Sequence, residues 1–269
     1  MIKRGVIFFI LSFLFNSQIF SASEIVVNYT VIPDTKNLSG EPDKYGQFSK
    51  GTTGGFHNLI SELFKDTKIS TSFLSYDSYF SALENTTVYS SSSNPEIMLG
   101  VTFSEDYTKY LDYVSVPIFT DKLVLVANKK DLPAKFKFSD NFEKDIKNLN
   151  LDIALVKGLN IPYLKFKNFS EYKTPDSAFE QVFLNNKVFI TSKTLIDKYF
   201  EKNKDSKKLN NLEVISYKDY PIYYFFVINK KSSLFTTKFD ENNFITDILF
   251  KRLQDIIDSN SISKIIEQK

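Results

Sequence analysis

The chain has 269 residues, of which 42% are hydrophobic and 16% aromatic, enough apolar surface for a packed core and too much for a disordered polymer. Lysine and arginine number 34 against 32 aspartates and glutamates, so no basic excess points to nucleic acid. Cysteine is absent and His57 is the only histidine, which excludes disulfides, thiolate chemistry, a multi-histidine zinc site and a Ser-His-Asp triad away from His57.

The first 23 residues differ from the rest. Met1-Ile2-Lys3-Arg4 is a short basic start, residues 5–15 form an uncharged apolar run, and Ser21, Ala22 and Ser23 precede Glu24. This is the three-part layout of a secretory signal peptide, and the apolar run is too short to span a bilayer. Cleavage after Ser23 is expected, with an uncleaved anchor as the alternative. Losing Lys3 and Arg4 takes the basic count from 34 to 32, equal to the acidic count. An exported, near-neutral protein without a cysteine for lipid attachment should be soluble in the periplasm.

Residues 24–30 alternate as a first strand, and residues 30–54 make a polar, turn-rich loop. From Gly55 onward, Phe56, Leu59, Ile60, Leu63 and Phe64 recur at helical spacing. Residues 72–75 fit a short strand, and Asp77 is placed to cap a helix over 78–84. Residues 96–101 and 122–128 read as buried strands, separated by a polar turn, a short helix and a loop at Pro117. Strands alternating with helices imply βαβ units and a mainly parallel sheet. A second set follows a linker over 129–140. It comprises a strand at 152–156, a short helix at 160–166, a helix capped by Asp176 through 184, and a strand at 188–191. A helix at 194–201, a lysine-rich solvated loop at 202–208, and strands at 212–217 and 223–228 come next. Helices over 242–258 and 261–267 close the chain.

The order of segments from Gly100 to Asn128 resembles the type II periplasmic solute-binding proteins of the polar amino-acid-binding kind. Gly100-Val-Thr-Phe-Ser is similar to that family's Gly-x-Thr-x-Thr/Ser turn. Gly54-Gly55-Phe56, Tyr76-Asp77 with Ala82-Leu83, Pro117-Ile-Phe119, Val156-Lys157-Gly158 and Asn229-Lys-Lys-Ser-Ser resemble further segments, in the family's order. The resemblance implies an α/β, two-lobed periplasmic-binding-protein-like fold. Each lobe would be a mainly parallel sheet flanked by helices, and two crossing strands near 122–128 and 217–225 would join them. It divides the chain into a signal peptide (1–23), the first part of lobe one (24–124), lobe two (125–221) and a return segment of lobe one (222–269).

The same resemblance nominates ligand-binding residues. The family meets an amino-acid carboxylate with an arginine fork and with N–H groups at a helix start, and the ammonium with an aspartate. Tyr107 stands at the arginine's place, and Lys193, beside Ser192, at the aspartate's. Charge is lost at one pole and inverted at the other. The implied ligand is therefore a small polar solute other than an ordinary free amino acid, with an acceptor group facing Lys193 and an apolar part facing tyrosines. Gly100, Thr102 and Ser104 should line the cleft at the end of a parallel strand, though Thr102 and Ser104 also suit helix capping. Tyr29 should face the same crevice, Phe56 is either cleft wall or core, and Gly158 and Asn160 would contribute from lobe two. His57 is expected at the surface or as a capping residue. The implied role is capture by hinge closure for an inner-membrane ABC-type permease, as a monomer, with no cofactor, metal or catalysis. Two alternatives stand beside it. One is a degenerate member with a sensing or envelope-interaction role, consistent with the polar insert at 33–54. The other is a dehydratase similar to exported prephenate and arogenate dehydratases, with Glu105 or Asp106 as the required acid.

Overall fold

The computed structural model describes residues 25–32, 55–88, 93–134, 136–164 and 169–267. The expected signal peptide and the polar insert at 33–54 lie outside them. No described helix is long and apolar enough to cross a membrane.

In the first lobe β1 (Ile25–Val31) pairs in parallel with both β2 (Ile69–Phe73) and β3 (Ile97–Thr102). Helix α1 (Gly55–Leu63) leads into β2 and helix α2 (Tyr79–Thr87) into β3. The second lobe repeats the scheme: β6 (Ile153–Val156) pairs in parallel with β7 (Phe169–Tyr172) and β8 (Val188–Ser192). Helices α3 (Phe142–Leu149), α4 (Pro175–Leu184) and α5 (Lys193–Lys202) accompany these strands. Every residue of β3, β6 and β8 is buried, as expected for parallel strands covered on both faces.

Two long strands join the lobes. β5 (Phe119–Asn128) and β9 (Leu212–Asn229) run antiparallel to one another through the middle of a continuous sheet. Its order is β2-β1-β3-β9-β5-β8-β6-β7, with β4 (Leu111–Tyr113) added on β9. Lys122 pairs with Pro221, but the next residue, Leu123, pairs with Tyr217, so Lys218, Asp219 and Tyr220 bulge out of the ladder. On one side of this break β9 pairs with β3 and β4, and on the other β5 pairs with β8. Helices α6 (Ile245–Asp258) and α7 (Ile262–Glu267) end the chain, and both contact α1 of the first lobe. The α/β two-lobed fold with two crossing strands is the one expected.

Several local expectations need correction. Ser78, not Asp77, caps α2: its hydroxyl accepts the Ser81 N–H at 3.1 Å, while Asp77 turns to Lys173. Thr174, not Asp176, caps α4 in a reciprocal box with Ser177, and Pro175 takes the first helical position. The short helix after Thr102 is a single 3-10 turn, Glu105–Tyr107, because the chain must straighten into β4. Residues 160–164 form a turn rather than a helix. The two strands expected at 212–217 and 223–228 are one strand. Helix α3 and strand β7 were not anticipated at all; Asn141 caps α3 by accepting the Lys144 N–H at 2.9 Å, and Phe142, Ile146 and Leu149 bury its apolar face.

Candidate functional site

The end of β3 carries Thr102 to the border between the lobes. Tyr79, the first residue of α2, is 7% exposed and its hydroxyl accepts the Thr102 N–H at 3.1 Å. Thr102 Oγ1 in turn accepts the N–H of Asn160, from lobe two, at 2.9 Å. Asn160 Nδ2 adds a bond back to the Phe103 carbonyl at 2.5 Å. Gly158 makes this approach possible. Its φ is +83°, and a Cβ there would stand 3.3 Å from two carbons of the Tyr79 ring. Beside it, Lys157 Nζ lies 3.7 Å from the centre of the Phe80 ring.

Two further tyrosines stand at the border, Tyr113 half-buried and Tyr224 buried. The Tyr113 hydroxyl donates to the Thr102 carbonyl at 3.4 Å. Tyr224 is buried on β9, opposite Thr102 in the β3–β9 ladder. Burial pushes the Tyr79 hydroxyl up to about 12 and raises Tyr113 and Tyr224 as well, so all three are neutral donors and acceptors near pH 7. Ser192 itself ends β8 and accepts the Leu195 N–H at 3.5 Å as the cap of α5. Next to it sits a buried acid. Asp121 Oδ2 accepts the Thr194 N–H at 2.9 Å and Oδ1 accepts the Lys122 N–H at 2.7 Å, which places a carboxylate at the positive end of α5. At the rim, Lys173 Nζ lies 2.8 Å from Asp77 Oδ2, and that hydrogen bond, followed by one from Ser81, holds Asp77 below the usual carboxylate range.

Among the nominated residues, Thr102, Gly158 and Asn160 are brought together, while Ser192 caps α5 beside the Asp121 carboxylate. Ser104 and Tyr107 are partly buried at the 3-10 turn. Burial raises the Tyr107 hydroxyl, and nearby Glu171, Asp106 and Glu84 add to this. Gly100 is buried one turn of chain back on β3, against Ile32. Tyr29 and Phe56 belong to the apolar core. The Tyr29 hydroxyl lies 2.7 Å from His57 Nδ1, and Phe73 packs on both rings. His57 is thus buried, not at the surface as expected; its ring closes a core cluster at the start of α1. Lys193 is half exposed and forms an ion pair with Asp197 one turn further along α5. Glu105 and Asp106 are both exposed. Tyr79, Tyr113, Tyr224 and Asp121 were missed by sequence reasoning; the acid just ahead of the apolar run at 123–127 was the one legible signal among them.

No protein-family model and no curated protein sequence matches the chain. Solved structures do. An ancestral arginine-binding protein bound to glutamine gives a TM-score of 0.61 at 15% identity, covering 90% of this chain and 96% of that one. The GluR0 ligand-binding core in complex with L-glutamate gives 0.60 at 14% identity, with 92% and 98% covered. A histidine kinase sensor domain with similarity to periplasmic binding proteins gives 0.60 at 13% identity, with 89% and 93% covered. At these identities the likeness is one of fold: the chain has the two-lobed α/β fold of these ligand-binding proteins.

Proposed function

We propose that the chain is an exported solute-binding protein whose two lobes close by hinge motion over a small polar molecule and present it to an inner-membrane ABC-type permease. The observation that carries this reading is the hydrogen bond from the Asn160 N–H to Thr102 Oγ1, which crosses the lobe border at the C-terminal end of a parallel strand. A division at 124/125 and 221/222 is supported by the break in the β5–β9 ladder at Lys122 and Pro221. A substrate-binding protein of an amino acid ABC transporter has the same fold, with a TM-score of 0.60 at 12% identity. Tyr107 in place of the family's arginine and Lys193 in place of its aspartate argue for a solute other than an ordinary free amino acid.

The test is mass spectrometry of the native, exported protein, followed by thermal titration with whatever it carries. A solute at a hundred times its dissociation constant should add about 2.7 kcal/mol of stability. Tight binding of an ordinary free amino acid would refute the ligand class, and a protein that no carried solute stabilises would refute capture. A second reading, solute sensing without a permease, is favoured by the histidine kinase sensor domain of the same fold. A pull-down of a permease by the solute-loaded protein would decide against it.

A further inference from the structure

Two backbone N–H groups meet at the lobe border, that of Thr102 from one side and that of Asn160 from the other. Two N–H groups whose acceptor oxygens lie side by side suit the paired oxygens of a carboxylate. Both are already occupied by the protein. The Tyr79 hydroxyl takes the Thr102 N–H at 3.1 Å, and Thr102 Oγ1 takes the Asn160 N–H at 2.9 Å. The Tyr79 and Thr102 hydroxyl oxygens are themselves 3.5 Å apart. Tyr79 is held in place from lobe two as well, since Gly158 leaves room for its ring and no side chain would fit there without pressing on it. The oxygen Tyr79 presents is uncharged at physiological pH, as for any ordinary phenol, and burial raises its hydroxyl further.

We propose that Tyr79 is a specificity-determining residue of the cleft: its neutral hydroxyl occupies the acceptor position at the Thr102 N–H and so bars a free carboxylate from it. The inference rests on the solute-binding reading and deepens it. It also gives a physical reason why Tyr107 can stand where a counter-charge would be needed. With a neutral oxygen at the N–H groups, no buried anion has to be balanced.

Tyr79→Ala removes ring and hydroxyl together, and Tyr79→Phe removes the hydroxyl alone. Both are tested in the full mature chain, with propionate as the carboxylate probe, phenol as a replacement plug, and sodium chloride at matched ionic strength as control. Thermal shift and calorimetry should show wild type indifferent to propionate, with Tyr79→Ala binding it at least tenfold more tightly and phenol competing with it. Equal propionate binding by wild type and Tyr79→Ala would overturn the proposal. Should Tyr79→Ala fail to fold, amide hydrogen exchange of Tyr79→Phe decides. The Thr102 amide should exchange about tenfold faster than in wild type, and unchanged protection would overturn the proposal. Neither readout needs the native solute, so failure of this inference can be told apart from failure of the solute-binding reading on which it rests.

Discussion

Gly100→Ala probes how the end of β3 is built. Gly100 sits at φ +87°, within a register shift between Leu99 and Val101 opposite Phe226 and Phe225, so it is the extra residue of a bulge. A side chain in that left-handed region costs about 1–2 kcal/mol. A Cβ would also lie 2.6 Å from Ile32 Cγ2 and 2.9 Å from Cγ1. Ile32 is 4% exposed, and its own N–H is tied to the Leu99 carbonyl at 3.0 Å, so it has little room to retreat. Overpacking of this kind adds about 1–3 kcal/mol, for a total near 2–5 kcal/mol. Urea denaturation followed by circular dichroism reads the loss directly. The double variant with Ile32→Ala separates the two contributions. Ile32→Ala alone should cost about 2–5 kcal/mol, and the pair should cost about 1–3 kcal/mol less than the sum, because the clash is relieved while the backbone strain stays. A loss below about 0.5 kcal/mol for Gly100→Ala, or strict additivity in the pair, would refute the reasoning.

Asp145 on α3 is buried and accepts from the Tyr217 hydroxyl at 2.9 Å and from the Ser139 N–H and hydroxyl, each at 2.8 Å. Asp145→Ala strands these donors and should cost about 3 kcal/mol or more in denaturation; a loss below about 1 kcal/mol would contradict the network. Thr102→Val keeps the shape but removes the acceptor of the Asn160 N–H, so exchange at the Asn160 amide should rise about tenfold for a loss near 1.4 kcal/mol while the unfolding midpoint barely moves. A lowered midpoint with Asn160 unchanged would contradict it. Tyr29, Tyr79, Tyr113, Tyr217 and Tyr224 all have hydroxyls raised by burial, so folding favours their neutral forms. For Tyr79 that stabilisation is whole below the ordinary tyrosine value of about 10 and drains away as pH rises through about 12, a contribution of about 3 kcal/mol. Tyrosinate absorbance and circular dichroism should show exposed tyrosines ionising first and the buried ones only with unfolding. Simultaneous ionisation of all 15 tyrosines in an intact fold would contradict it.

The strand–helix alternation and the apolar runs were enough to read the lobes, because parallel strands buried on both faces carry an unbroken hydrophobic signal. The caps were not decided by residue type, since Asp77 and Ser78, or Thr174 and Asp176, all suit the position. Long-range partners settled it: Lys173 draws Asp77 away and Lys202 draws Asp176. Helix α3 was overlooked although Phe142, Ile146 and Leu149 recur at helical spacing, because lysines and acids surround them. β9 read as two strands because Lys218, Asp219 and Tyr220 interrupt its apolar pattern; in space they are the bulge between the lobes. Near the lobe border, motif and spacing pointed to Thr102, Gly158 and Asn160, which the fold brings together, whereas Gly100 lies back on β3 against Ile32. The tyrosines were not legible, because whether a tyrosine is plain core or meets the border depends on which neighbour its hydroxyl finds. Tyr29 finds His57 inside the core, while Tyr79 finds Thr102.

A distance measured across the lobes tests the hinged clamp most directly. The chain has no cysteine, so spin labels at Lys251→Cys on α6 and Glu201→Cys on α5, both exposed positions, would be the only ones present. Pulsed dipolar spectroscopy should find one short distance in this background, and a second, longer population once Thr102→Val and Asn160→Ala cut the bonds that cross the border. The same single distance in both proteins would mean that the two halves form one rigid body, and the clamp would be wrong.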